Sequence, residues 1–332
     1  MRFVRHSGGR TGLVIGSEAT KVLDVFDNLS IFARKEAGAA SRIRSVLAEK
    51  GFQSWVEMIG NWDDLRDAFQ ALERSAIVSD GNTYVLRDLG DVALEAPVAS
   101  PTNNIYALGS NTVDHIIRAF KAMADLDLTA DQAAAAKRSG RPPFGFTVWP
   151  STVVGPGAVV APPTGSLKFD YEAECAVFVK QGGRYLDSVD IWGYTAFNDF
   201  GVRDTHLGLA PQADFGPFSF NMPKNFDTGK SCGPWVVVDE GADAETLRCT
   251  LRVNGVLRQD WHLSEMIYSF NDALSYLSKG ITLRPGDMLA SGTGAGVALE
   301  DGKDGASWLK PGDVVEVGLG AMEPLRNIVG QW

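Results

Sequence analysis

Glu172 and Glu174, in Asp170-Tyr171-Glu172-Ala173-Glu174, and Asp199, in Asn198-Asp199-Phe200, are the residues whose types and spacing best suit chemistry. The two glutamates lead into an apolar, β-branched run, Cys175-Ala176-Val177-Phe178-Val179, that reads as a strand. On a strand, residues two apart share a face. Two carboxylates on one face of an apolar strand repel each other and resist desolvation. A hard divalent cation, Mg2+ or Ca2+, removes the conflict because it takes oxygen ligands. Asp199 ends a second apolar run, residues 191–197, and can supply a third oxygen. The same acids also fit a plainer reading, a solvated Glu-x-Glu on an exposed strand face.

The elements that must position these acids divide the chain in two. Residues 1–28 read as short strands, 3–4, 12–15 and 22–25. Phe32, Ala39, Ile43 and Leu47 then form one apolar stripe on a helix over 30–50, with Gly51 as its stop. A second helix is predicted to start at Asn61 as N-cap, with Asp63 and Asp64 in the first turn and Leu65, Phe69 and Leu72 as its stripe. The prolines of Glu95-Ala96-Pro97-Val98-Ala99-Ser100-Pro101 mark a linker, which separates residues 1–99 from 100–332. Beyond it come a short strand at 105–108 and a helix over 112–137. After Arg141-Pro142-Pro143, strands alternate with Pro-Gly turns, as at Pro285-Gly286-Asp287 and Pro311-Gly312-Asp313, where the aspartates cap the turns. This pattern argues for an α+β, β-rich chain with an antiparallel or mixed sheet, not a doubly wound parallel one.

Composition narrows the function classes. The chain has 332 residues, long enough for two domains, with 45% hydrophobic and 22% charged residues. A formal charge of −10 leaves no footprint for nucleic acid. Cys175, Cys232 and Cys249, three in number and widely spaced, fit reduced thiols in a cytoplasm. The first residues lack the apolar stretch of a signal peptide, and no run approaches the ~20 apolar residues of a membrane span. A cytoplasmic homodimer with no nucleic-acid or membrane partner is the expectation.

Six stretches in series resemble the fumarylacetoacetate hydrolase superfamily, across residues 103–329. They are Asp170–Glu174; Gly193-Tyr194-Thr195-Ala196-Phe197-Asn198-Asp199-Phe200-Gly201-Val202-Arg203-Asp204; Lys224-Asn225-Phe226-Asp227-Thr228 with Gly233-Pro234-Trp235; Val253-Asn254-Gly255 with Arg258-Gln259; Leu283–Asp287; and Ser291-Gly292-Thr293-Gly294-Ala295-Gly296-Val297. The resemblance implies a catalytic domain of mixed β-sandwich or roll type, preceded by a smaller α+β N-terminal domain like that of bacterial members. It implies that Glu172, Glu174 and Asp199 bind Mg2+, with Mn2+ or Ca2+ as alternatives, and that the substrate is a small keto or diketo acid chelating the metal. Arg203 and Lys224 then hold the substrate and stabilise enolate charge, and Thr293 offers a substrate-binding hydroxyl. Cleaving a C–C bond beside a carbonyl needs an electron sink, which a Lewis acid and two fixed cations supply.

The match also breaks in places. Where relatives carry Gly-x-Asn-Tyr-x-x-His-x-x-Glu on a lid helix, this chain has Gly109-Ser110-Asn111-Thr112-Val113-Asp114-His115-Ile116-Ile117-Arg118. His115 is a candidate base, but Arg118 stands where its acid should be, and Glu300 or Asp301 is a possible substitute. His206 replaces a glutamine and is a second candidate for substrate contact and proton transfer. Counting back from Gly233 favours Lys224 over Lys230 as the substrate lysine, leaving Lys230 a near-silent position. Arg203-Asp204 could instead be a surface ion pair, Cys232 is placed near the site, and His6 and His262 read as structural. The segment 111–141 is read as a lid, loosely held because its alanines bury little area. The leading activity is metal-dependent hydrolysis of a C–C bond in a β-diketo or acyl-pyruvate acid. A lyase or isomerase using the same enolate chemistry and a non-catalytic binding protein are the alternatives.

Overall fold

The computed structural model describes residues 1–16, 18–47, 51–79, 83–204, 221–239, 243–301 and 307–332. Its first strands follow from strict alternation: β1 (Arg2–His6), β2 (Arg10–Ile15) and β3 (Lys21–Asp24) form an antiparallel meander. Phe3, Leu13 and Leu23 face one apolar cluster while Val4, Val14 and Val22 face another. Ser7, Gly8 and Gly9 all have positive φ in the turn between β1 and β2, a conformation glycine adopts without strain.

Asp24 ends β3 and caps α1 (Val25–Phe32): its carboxylate accepts from the Asp27 N–H at 2.9 Å and from Arg10 at 2.5 and 2.8 Å. His6 Nε2 is 3.4 Å from the same carboxylate. That cap is why the strand expected through Val25 stops one residue early. The single helix expected over 30–50 is two, α1 and α2 (Ala37–Val46), with a turn at residues 33–36 between them. The stripe of Phe32, Ala39, Ile43 and Leu47 is buried as the spacing predicts. Next come α3 (Val56–Gly60) and α4 (Trp62–Val78), which buries Leu65, Phe69 and Leu72. Asn61 does not cap α4 with its side chain. Because α3 ends just before it, Asn61 Nδ2 instead donates to the Glu57 carbonyl at 2.8 Å.

Strands β4 (Leu86–Asp88) and β5 (Leu94–Glu95) pair with β3 and β1. Then follow β6 (Ile105–Leu108), α5 (Val113–Ala124), α6 (Ala130–Arg138), β7 (Gly145–Val148), β8 (Val153–Val154) and β9 (Val159–Val160). The helix predicted over 112–137 breaks at Asp125, which adopts left-handed φ as the cap of α5. The remaining strands are β10 (Phe169–Asp170), β11 (Ala173–Val179), β12 (Ile191–Asp199), β13 (Gly201–Val202), β14 (Lys230–Val237), β15 (Arg248–Val253), β16 (Val256–His262), β17 (Met288–Ala290), β18 (Val314–Leu319) and β19 (Leu325–Val329), with α7 (Phe270–Ser278) ahead of β17.

Among the described residues a twelve-stranded sheet runs β4-β3-β2-β1-β14-β12-β11-β17-β6-β7, with β5 beside β1 and β8 beside β14. The N-terminal meander thus joins the sheet of the C-terminal part through β1 and β14. Helices α1–α4 cover one face, where Phe3, Trp55, Trp62, Phe69 and Trp192 meet at ring-centroid distances of 5.2–6.3 Å. Each buried aromatic of this kind contributes roughly 1.5–3 kcal/mol by area and edge-to-face contact adds to it. The other face packs on a second sheet, β16-β15-β18-β19-β9. Strand β11 is therefore buried on both sides, Ala176 and Phe178 toward the first core and Cys175, Val177 and Val179 toward the second. This architecture is α+β and β-rich. Asp287 and Asp313 close the Pro-Gly turns by accepting from the Arg284 and Lys310 N–H groups, both three residues back.

Candidate metal centre and active-site cavity

Strand register assembles the acids. Ala173 pairs with Asn198, so Glu172, one residue before β11, faces Asp199, and the Glu172 carbonyl accepts from the Asp199 N–H at 3.0 Å. Glu174 is two residues on, on the face that continues into Ala176 and Phe178. One carboxylate oxygen from each of Glu172, Glu174 and Asp199 can be chosen so that all lie within 4.8 Å of one another, and all three residues are buried. The next strand carries Lys230 directly opposite Asp199.

Burial alone pushes these carboxyls up. For Glu172, burial is outweighed by Lys224 and Arg203, which hold it down at about 2. For Glu174 burial, then repulsion by Asp199 and Glu172, outweighs the pull of Lys224 and raises it well above the usual carboxylate range. Its Oε2 accepts from the Gly292 N–H at 3.1 Å, while Oε1 makes no hydrogen bond.

The cations surround the acids. Lys224 Nζ donates to Glu172 Oε2 at 2.6 Å and to Asp199 Oδ2 at 3.0 Å, and these carboxylates raise it despite its burial. Arg203 donates to Asp170 Oδ2 at 3.0 Å and makes a short bond to Glu172 Oε1. Arg203 is thus an inward-facing cation, not half of a surface pair, because Asp204 is taken up by Ser166 Oγ and the Leu167 and Lys168 N–H groups. Asp170 is raised by complete burial, against the pull of Arg203. Lys230, the other lysine weighed for substrate contact, is turned into the interior. It is fully buried, donates to the carbonyls of Phe200, Lys224 and Gly229, and stands 2.7 Å from Asp199 Oδ1. Burial lowers its pKa, and Asp199 opposes that.

Above the acids lies a cavity of about 290 Å³ lined by Glu172, Arg203, Lys224, Thr293 and His115 together with apolar side chains. His115, on the first turn of α5, holds Glu300 at 2.6 Å through Nδ1, so Nε2 is the nitrogen it can offer the cavity. Glu300 Oε2 is itself fixed by the Gly296 N–H at 2.6 Å. Of the two substitute acids weighed for position 118, Glu300 is the one in contact. Thr293 Oγ1 donates to the Ala173 carbonyl at 3.0 Å and accepts from Gln259 Nε2 at 2.8 Å. Its proton is committed to the peptide between the two glutamates, leaving a lone pair for any other partner. His206 lies outside the described residues. Cys232 packs in the first core opposite Phe197, where burial pushes its thiol up.

Sequence reasoning gave Asp170 and Gln259 no part in the site. Asp170 stands within the motif that carries Glu172, and Gln259 within the Arg258-Gln259 motif, so both had a usable signal. That Gln259, buried on the other sheet, bonds the Ala173 N–H at 2.8 Å is set by packing. Among the described residues the cluster sets four carboxylates against three cations. Glu174 Oε1, buried without a hydrogen bond, is an oxygen donor of the kind a hard divalent cation takes, and it stands in a cluster of three carboxylates. The residues therefore fit such an ion.

The model of the fumarylacetoacetate (FAA) hydrolase C-terminal family matches residues 104–330. Oxaloacetate tautomerase YisK of Bacillus subtilis (strain 168) is 31% identical over 284 residues, 83% of this chain and 86% of that protein. A 2,4-didehydro-3-deoxy-L-rhamnonate hydrolase of Sphingomonas sp. (strain SKA58) is 31% identical over 233 residues, 69% of this chain and 73% of that one. Maleylpyruvate hydrolase from Sphingobium sp. SYK-6, solved in complex with manganese(II) ion and pyruvate, shares the fold at a TM-score of 0.68 and 22% identity, with 100% of both chains covered.

Proposed function

Because this chain belongs to the fumarylacetoacetate (FAA) hydrolase family, whose relatives are enzymes, we propose that it is a divalent-metal-dependent hydrolase cleaving a C–C bond in a small β-diketo or acyl-pyruvate acid. The observation that carries this reading is the His115–Glu300 pair at 2.6 Å beside the Glu172–Glu174–Asp199 cluster. An imidazole held by a carboxylate through Nδ1 is oriented to take a proton at Nε2, and the carboxylate stabilises the imidazolium that results. Water is a much weaker acid than a C–H between two carbonyls, so this support favours water activation.

Glu172, Glu174 and Asp199 would hold the cation, which supplies Lewis-acid polarisation of substrate oxygens when bound. His115 takes the proton of a water whose oxygen bonds to the acyl carbon. The C–C bond then breaks, its electron pair leaves on the α-carbon as an enolate, and the imidazolium returns the proton there. Arg203 and Lys224 stabilise the negative charge that develops on the leaving fragment. Glu300 keeps the imidazole aligned throughout.

A keto–enol tautomerase is the second reading, supported by the 31% identity to the B. subtilis oxaloacetate tautomerase. Incubating the enzyme and Mg2+ or Mn2+ with acetylpyruvate and with oxaloacetate separates the two. Hydrolysis consumes acetylpyruvate and yields pyruvate and acetate in equal amounts. Accelerated loss of enol absorbance from oxaloacetate without bond cleavage, and no acid released from acetylpyruvate, would replace the hydrolase by the tautomerase.

A further inference from the structure

The charges that line the cavity, Glu172, Arg203 and Lys224, share it with His115, from which the lining runs on for two turns of α5 through Ala119, Phe120 and Met123, with Phe144 and Leu299 also apolar. Phe146 lies by the charges, its ring 5.9 Å from Lys224 Nζ. We infer that the substrate is a monocarboxylate whose far end is an apolar acyl group, alkyl or aryl, and not one ending in a second carboxylate. This rests on the reading above.

Three observations carry it. First, among the described residues Arg203 and Lys224 are the only Lys or Arg side chains lining the cavity. Second, Arg118 and Lys121 of α5 line a different cavity, with Asp125, Asp127, Glu300 and Asp301. A carboxylate at the apolar end would be desolvated without a partner, which is costly. Third, the apolar lining reaches the surface: Phe120 and Met123 are 37% and 58% exposed. Neighbouring large apolar side chains exposed around a cavity mouth mark a place where an apolar group binds. Gly109 is shaped to this lining, since a Cβ there would stand 2.9 Å from the Phe144 ring.

The test compares 2,4-dioxo acids whose far end is methyl, propyl, phenyl or a terminal carboxylate, each with Mn2+. The same comparison is made for binding alone, by calorimetry with 2-oxohexanoate, phenylpyruvate and 2-oxoglutarate. Selectivity is expected to rise about fourfold per buried methylene, through KM more than kcat, and the carboxylate-ended compounds should be at least about tenfold poorer than neutral ones of equal length. Met123→Lys should shift the preference toward the carboxylate-ended compounds. A flat series, or a parent enzyme that prefers the diacid and 2-oxoglutarate, overturns the inference while leaving the hydrolase reading intact. If no dioxo acid is cleaved but the binding series keeps its apolar trend, the hydrolase reading fails and the inference about the cavity stands.

Discussion

Lys224 and Lys230 are six residues apart and both reach Asp199, from opposite sides of the carboxylate. Lys224 lines the cavity, so its charge is available to a substrate. Lys230 is enclosed, and its protons serve three backbone carbonyls, one of them that of Lys224. Replacing them should therefore separate two effects. Lys224→Met is expected to lower kcat by ~10²–10³, the usual loss for one charge-stabilising donor. Lys230→Met should chiefly lower stability, by about 1–3 kcal/mol, because it leaves buried carbonyls without their donor and Asp199 with one cation in place of two. Urea midpoints and turnover of both variants check this. A Lys230→Met midpoint equal to that of the parent would show the buried pair to be dispensable.

At the scale of elements, the β3–α1 junction depends on Asp24. Burial pushes that carboxyl up, but the close approach of His6 and hydrogen bonds from Arg10 and the Asp27 N–H outweigh it and hold the carboxyl below the usual range. A depressed pKa contributes stability above the unfolded value, about 3.9, and loses it as pH falls below that value. Asp24→Ala should cost at least about 1 kcal/mol from the lost cap alone at pH 7, with the difference from the parent narrowing in acid. A pH-independent difference would count against this account.

The lid is a graded element. Asn111 donates to the Tyr268 and Ser291 carbonyls and accepts from the Tyr268 N–H, Thr112 donates to the Thr293 carbonyl, and His115 holds Glu300. These bonds correct the view of a segment loose throughout. α6 is tied to the body by the partly exposed pair Lys137–Asp272. Hydrogen exchange is expected to be slow across 113–119 and fast across 130–138, with only the latter slowing when a diketo acid and Mn2+ are added. Equal protection of both stretches in both conditions would remove the lid from the mechanism.

For the whole molecule, the cluster links metal, pH and stability. Glu174 has a raised folded pKa, so its contribution to stability is full below the unfolded value, near 4.3, and is lost as pH rises through the folded value. Glu172, depressed, acts in a lower window and is lost only as pH falls toward about 2. Chelator-treated enzyme should therefore show a Tm that declines as pH rises above 5, and Mg2+ or Mn2+ should raise Tm and reverse much of that decline. At a hundred times the dissociation constant the ion adds about 2.7 kcal/mol. A Tm unmoved by saturating metal at pH 8 would mean that these carboxylates hold no ion.

The chain itself determined that Glu172 and Glu174 share a face, because the two-residue period of a strand is local geometry. It likewise determined the apolar stripe of Phe32, Ala39 and Ile43 and the β-rich second half. It did not determine what stands across from each acid. Lys230 opposite Asp199 follows from the register of β12 on β14, and Gln259 at Ala173 follows from the packing of one sheet on the other. Glu300, which takes the place of an acid at position 118, reaches His115 from 185 residues away in sequence. Spacing within one strand or helix is set by bond geometry that every residue shares. Partners across strands and sheets are chosen by the packing of the whole core, and only the tertiary structure holds that information.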